Sequence, residues 1–535
     1  MSVVKLPHPL PSAPLNAGSR ARALLPTTGQ LLAQGGDARI LLAPDHLVNN
    51  YGCPAHPDPD LLAFGSATAS VISAPAFAAA EELRRRLIHC ADAEAQSLSY
   101  AHELERVRHE LLALCGVADQ TETEVVFAAS GTDLHLIAAQ LVGQRAALPT
   151  RVIMVDHCET GSGVASALAG RHFSNCTAVG DAVTEGIAVP HSAALEVETI
   201  AIRAADGSAR PCDAIDAAAE TRVTAAVARR QRVLLILVDV SKTGLIAPSP
   251  ACVARLAQDF PDSIDVLVDA CQYRIAPATL QAYLARGFML ALTGSKFITG
   301  PSFAGALLLP ALLARRLRRT PVPRSLRNYS VQGDWPAGWP IEGRLEKHAN
   351  LGLLLRWQAA LHELRAFRAI PEAKISGFLL AFADAVQQRL AHDPCFAPLP
   401  APMLDRSPLI AAASWDHIPT IFPFFLRRPS GSNAKIFLNS ATTGAIHRLL
   451  ALDLRDHPDH RSAANHSAAL RCQLGQPVIV GSHAGQPASA LRLCASARLV
   501  VAATTRNGSD TADIIARALA VLDKTAWLVR TTRSL

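Results

Sequence analysis

The chain has 535 residues, half of them hydrophobic and 18% charged, enough to bury the core of a multi-domain globular protein without metals or disulfides. Its formal net charge of +6 is spread along the sequence, and the basic runs Arg84-Arg85-Arg86 and Arg315-Arg316-Leu317-Arg318-Arg319 read as solvated helix faces, so no nucleic-acid partner is expected. Eleven scattered cysteines suit reduced thiols, and neither a signal peptide nor a membrane-length apolar run occurs; a cytoplasmic protein without a membrane partner is expected.

Residues 1 to about 40 are rich in Pro, Ala, Gly and Ser and read as a partly mobile lead-in, within an N-terminal segment assigned to 1–74. From Pro75 to Val117 two helical patterns follow, the second through Leu104, Val107, Leu111 and Leu112. Short apolar runs then alternate with helix-length connections at 125–127, 152–155, 233–238, 266–268, 289–292 and 306–309. Runs apolar on both faces predict an α/β fold: a large domain over 75–320 with a mainly parallel sheet flanked by helices. After Pro310 a basic stretch carrying Trp335 and Trp339 leads into a helix expected over about 342–369 and reads as an interdomain connection. A helix over 375–390 and strands over 419–426, 477–480 and 491–500 predict a smaller α+β domain, which with the linker fills 321–535. The histidines at 457, 460 and 466 lack ordered ligand spacing and read as a hydrated surface loop, and no metal is expected.

The chemistry concentrates at strand ends, where open parallel sheets bind ligands. One apolar run ends in Thr293-Gly294-Ser295-Lys296 and the run before it in Asp269-Ala270-Cys271-Gln272. An amine able to form a Schiff base and a carboxylate able to hold a protonated ring nitrogen are the two groups a pyridoxal phosphate enzyme must supply. Ser130-Gly131-Thr132 opens an apolar helix, so Gly131 and Thr132 are assigned to the cofactor phosphate, with Thr293 and Ser295 closing it from the lysine side. Gln272 is placed to donate to the ring's phenolic oxygen.

These motifs, with Gly300-Pro301 and the turn Val240-Ser241-Lys242-Thr243-Gly244, resemble those of class V aminotransferases and cysteine desulfurases, fold type I pyridoxal phosphate enzymes. The resemblance covers about residues 120 to 310 well and the C-terminal region faintly. It implies a homodimer in which Thr299 reaches the partner's phosphate. It also implies a ring-stacking residue in 157–162, Thr160 or else His157, and an arginine for the substrate α-carboxylate, Arg492 with Arg498 competing. The asparagine usual in the Ser241-Lys242 turn is absent. Cys472 lies early in Arg471-Cys472-Gln473-Leu474-Gly475-Gln476-Pro477, where a desulfurase would need its thiol nearer the end.

The expected function is therefore that of an aminotransferase or lyase acting on a small-molecule amino acid through an aldimine at Lys296. A cysteine desulfurase or C–S lyase is the alternative. A non-catalytic sensing or assembly protein on the same fold is the alternative of another class, and needs neither Lys296 nor Asp269. A dinucleotide oxidoreductase is set aside because Gly161-Ser162-Gly163 is followed by Ser166 where its third glycine belongs.

Overall fold

The computed structural model describes residues 25–44, 47–88, 92–117, 122–144, 148–410, 414–429, 436–455, 466–483, 485–504 and 509–532. The strands in chain order are β1 (Leu62–Phe64), β2 (Glu124–Ala128), β3 (Thr150–Val155), β4 (Glu196–Ile200), β5 (Arg232–Val238), β6 (Ile264–Ala270), β7 (Met289–Thr293), β8 (Gly305–Leu309), β9 (Phe396–Pro398), β10 (Ile421–Arg428), β11 (Ile436–Phe437), β12 (Cys472–His483) and β13 (Gln486–Cys494). The large sheet runs β2-β8-β7-β6-β5-β3-β4. All its pairs are parallel except those of β8, which is antiparallel to β2 and to β7. Its central strands are buried along their length, as runs apolar on both faces require. The expected α/β architecture, a mainly parallel sheet between helices with a smaller α+β unit, is therefore present. β4, unexpected from the sequence, is an edge strand in which only Ile200 is buried.

The smaller sheet runs β1-β12-β13-β10-β11, with β9 on β10. β1 comes from the N-terminal segment and pairs parallel with β12, Leu62 opposite Cys472. The described part of the expected lead-in is likewise built into the molecule: Thr28–Leu32 is a helix capped by Thr27, and Ala38–Ile40 a 3-10 turn capped by Asp37. The expected strand over 491–500 ends at Cys494, and a helix, Ala497–Thr504, takes over.

The helix expected over 342–369 is shorter, Leu351–Arg368, because Asn350 caps it by accepting from the Leu353 amide at 3.0 Å. It is a central support for the large sheet. Trp357 donates to the Gly305 carbonyl at 3.1 Å, and a methyl at Gly294 or Gly300 would stand 2.5 or 2.7 Å from the Ala360 Cβ. Arg356, fully buried, donates to the carbonyls of Phe303 (2.6 Å), Leu32 (3.3 Å), Gly35 (2.8 Å) and Gln34. Burial without a carboxylate partner lowers its pKa to about 9.

Among the described residues no helix is long and apolar enough to cross a membrane, and no group of three metal-ligating side chains occurs. Most of the histidine-bearing loop, 456–465, lies outside the described residues. Gly294→Ala should cost roughly 1–3 kcal/mol in urea unfolding through its collision with Ala360. Adding Ala360→Gly should return part of that loss; an unchanged midpoint in the single variant would contradict the contact.

Candidate active site

A cavity of about 220 Å³ opens at the carboxyl ends of β3, β5, β6 and β7. Each strand hands the chain into a polar turn there: Glu159–Ser162 after β3, Val240 and Lys242 after β5, Cys271 and Gln272 after β6, Ser295 and Lys296 after β7. The helix Gly131–Gly143 follows β2 and points its N-terminus into the same space. This helix is apolar almost all round and buried from Thr132 to Val142, which fixes its axis against the sheet. Its first amides, at Gly131 and Thr132, have no intrahelical acceptors. A Cβ at position 131 would lie 2.8 Å from the Cys271 Sγ, so glycine lets the helix end sit directly on the β6 turn.

Of the residues predicted for the site, Gly131, Thr132, Thr160, Asp269, Gln272, Thr293, Ser295, Lys296 and Arg492 all line this cavity. Thr299 does not: it is buried, with its hydroxyl donating to the Ile298 carbonyl at 2.6 Å. His157, the other stacking candidate, is exposed. Thr293 lines the cavity, but its hydroxyl hydrogen is committed to the Cys271 carbonyl at 2.6 Å. Gln272 similarly donates to the Ala67 carbonyl at 3.0 Å. Arg498, the competing arginine, is occupied by Glu363 at 2.8 Å and by the carbonyls of Val71 and Thr299.

Lys296 is half-buried and its amine makes no hydrogen bond or ion pair among the described residues. Asp269 accepts from the Cys271 amide at 3.1 Å and faces the His135 Nε2 at 3.3 Å, an electrostatic contact rather than an aligned hydrogen bond. The other ring nitrogen, Nδ1, is 2.7 Å from the Gly131 carbonyl. With an acceptor facing each nitrogen, the imidazolium is the form the site favours. Burial opposes that charge, but Asp269 outweighs it and raises the His135 pKa. Burial would also raise Asp269, yet His135 and Lys296 hold it below the usual carboxylate range.

Three cavity residues had no role assigned from sequence. His135 is an ionisable residue in a mostly apolar helix, one turn beyond Gly131, and that position is its available signal. Arg39 comes from the supposed lead-in. It pairs with Asp37 at 2.5 Å, lies 3.4 Å from the Thr132 Oγ1 and stacks its guanidinium 5.2 Å from the centre of the Phe303 ring. Lys242 carries an amine that burial, Arg492 and Lys296 push down to about 8. Arg492 is buried and donates to Thr68 Oγ1 at 2.8 Å, to the Lys242 carbonyl at 3.3 Å and to the Gln476 carbonyl, while its Nε has no partner. Glu159, by contrast, is saturated by Arg203, Ser241 and Thr243.

No protein-family model matches the chain, and no curated protein matches it in sequence. Among solved structures it is similar to the cystine C–S lyase C-DES in complex with cysteine persulfide, with a TM-score of 0.50 at 14% identity over 86% of this chain and 98% of that one. A NifS-like protein from Rickettsia africae ESF-5 gives 0.46 at 10% over 86% and 99%. The cysteine desulfurase CsdA from Escherichia coli gives 0.47 at 14% over 86% and 94%. At such identities the likeness is one of fold, and the C–S lyase comparison carries it.

The His135–Asp269 pair has a pH signature. Because the native His135 pKa is raised, its stabilisation is complete below the unfolded value of about 6.5 and is lost as pH rises through the native value; the depressed Asp269 contributes above about 3.9. The melting-temperature advantage of cofactor-free wild type over His135→Gln should therefore narrow as pH rises above about 6.5. A gap that stays constant or widens would rule the pair out.

Proposed function

We propose that the chain is a pyridoxal phosphate enzyme acting on the α-carbon substituents of an amino acid, as an aminotransferase or lyase, with a second copy of the chain as its dimer partner. The observation that carries this reading is the convergence, in one cavity, of an unpartnered Lys296 amine, the Asp269 carboxylate on the neighbouring strand and the open N-terminus of Gly131–Gly143. The residues fit the group. Thr160 and Arg492, which line the cavity, each carry a buried polar atom without a partner among the described residues, Oγ1 and Nε, and the anion end of the cavity is kept open by Gly131. When bound, pyridoxal phosphate supplies an electron sink for the pair left when a bond at the substrate Cα breaks.

The chain's own groups divide the remaining work. Gly131 and Thr132 amides, the Ser295 hydroxyl and Arg39 bind the phosphate, the last as a cation already held over that end by Asp37 and Phe303. Asp269 holds a proton on the ring nitrogen, and His135 positions that carboxylate and keeps it ionised. Thr160, which lines the cavity on the turn after β3, would face the ring. Lys296 would hold the cofactor through its amine and would move a proton at Cα. Arg492 would hold the substrate α-carboxylate through Nη1, which keeps a second N–H beside the one it donates to the Lys242 carbonyl.

A persulfide route through Cys472 is not part of this reading. That thiol is fully buried on β12, 3.5 Å from the Leu450 carbonyl, and burial pushes its pKa up to about 12. Cys271, which does line the cavity, is raised well above the ordinary thiol range by burial and by Asp269.

Borohydride treatment of the purified protein should fix a pyridoxyl group on Lys296, as read by peptide mapping; its absence, or its appearance on another residue, would overturn the reading. Asp269→Asn should keep cofactor and fold yet lower kcat by at least about tenfold, equivalent to about 1.4 kcal/mol. Arg39→Met should instead raise the pyridoxal phosphate concentration needed for half-saturation, with kcat at saturation within about twofold of wild type. Cys472→Ser should leave turnover intact, whereas loss of activity together with sulfide release from cysteine would favour the desulfurase reading.

A further inference from the structure

The charges around the cavity do not balance within the protein. Its two carboxylates are both neutralised by other groups: Asp269 faces His135, and Glu159 is bound by Arg203 through Nε at 2.5 Å, with Ser241 and Thr243 taking its remaining lone pairs. Arg39 has Asp37. That leaves two cations beside Lys296 without an anionic partner among the described residues, Arg492 on β13 and Lys242 on the turn after β5. They are neighbours, since the Arg492 Nη1 donates to the Lys242 carbonyl at 3.3 Å, and both side chains face the same space. The Lys242 ammonium makes no hydrogen bond to any described residue, and Glu159, whose backbone carbonyl accepts from the Lys242 amide at 2.8 Å, has no carboxylate lone pair left for it.

Two partly desolvated cations held side by side repel each other and are costly unless a ligand supplies opposite charge. The cofactor phosphate cannot serve both, because it is assigned to the far wall, at Gly131, Thr132 and Arg39. A monocarboxylate amino acid would satisfy Arg492 and leave the half-buried Lys242 unpaired. We infer that Lys242 is a specificity residue for an amino acid bearing a second anionic group, its α-carboxylate on Arg492 and its side-chain anion on Lys242. This rests on the cofactor reading for the direction in which the amino acid lies, but the charge complement does not.

A carboxylate is the simplest such group, and aspartate and glutamate are the amino acids that carry one. The test is isothermal titration calorimetry on the purified holoenzyme at pH 7 with succinate, glutarate and butyrate. Succinate or glutarate should bind about tenfold or more tightly than butyrate, and Lys242→Met should reduce that ratio below about twofold while the butyrate Kd changes by less than about twofold. Lys242→Arg, which keeps the charge, should retain the preference. Where Lys242→Met does not fold, Lys242→Gln reads the same ratio. In steady-state kinetics the same variant should erase any preference in KM for glutamate over glutamine or aspartate over asparagine.

A wild-type ratio under about twofold, no binding of either dicarboxylate, or a ratio that survives Lys242→Met overturns the inference. The cofactor reading fails by a different measurement: a protein without pyridoxyl on Lys296 after borohydride would still report the dicarboxylate ratio. Preference for a phosphomonoester amino acid such as phosphoserine over both dicarboxylates would keep the second-anion site and replace the carboxylate as its occupant.

Discussion

The site depends on one close packing contact, the press of helix Leu351–Arg368 against the back of the large sheet. Ala360 meets Gly294 and Gly300 at distances no side chain could share, so the turn that carries Lys296 can follow only one path out of β7. One helical turn earlier on the same helix, Arg356 gathers the carbonyls of Leu32, Gln34 and Gly35 together with that of Phe303. Arg39 and the Phe303 ring on which it rests are thereby aligned by the same element that positions the lysine. Interiors packed to crystal density transmit such constraints without slack.

The charges inside the molecule divide into those that hold structure and those that face the cavity. Arg406 clasps Asp239 through two hydrogen bonds of 2.7 Å, with the Tyr283 hydroxyl on the same carboxylate, and so joins a loop beside the smaller sheet to the end of β5. Glu159 and Arg203 do the same between the turns after β3 and β4, and both reach Thr243 in the turn after β5. Buried pairs of this kind add little net stability over an apolar filling, but they demand one geometry. Their value here is that the turns bearing Thr160 and Lys242 cannot drift apart. The cavity-facing cations have the opposite character, each retaining donors that the protein leaves unused.

Much of this was legible in the residues. The buried strands β5, β6 and β7 announce themselves because strands covered on both faces must be continuously apolar, and the polar residues that interrupt them mark where ligands can enter. Lys296 and Asp269 follow from that rule alone. β4 was hidden because an edge strand reading Glu196-Val197-Glu198-Thr199-Ile200 buries little. The C-terminal strand was overextended because the apolar Ala497-Arg498-Leu499-Val500 suits either period, and only its packing shows a helix. Arg39 and β1 were invisible for a different reason: their segment has no periodicity, and its order comes from long-range contacts with Arg356 and β12. Thr299 was expected at a partner's phosphate only through the family resemblance, yet the turn directs it into the interior.

The pairing of β1 with β12 joins segments some four hundred residues apart. The lining of the cavity shows the same separation, the Thr68 hydroxyl accepting from the Gln476 amide at 3.0 Å and from Arg492 at 2.8 Å. During synthesis the large sheet, with Lys296 and Asp269, can be assembled long before the strand that bears Arg492 exists. Until β12 arrives, β1 has an unpaired edge, the kind of surface that recruits wrong strands. The strand ends of the large sheet are thus an early product of the chain and the wall that bears Arg492 a late one, and the second closes over the first only after β12 and β13 have been made.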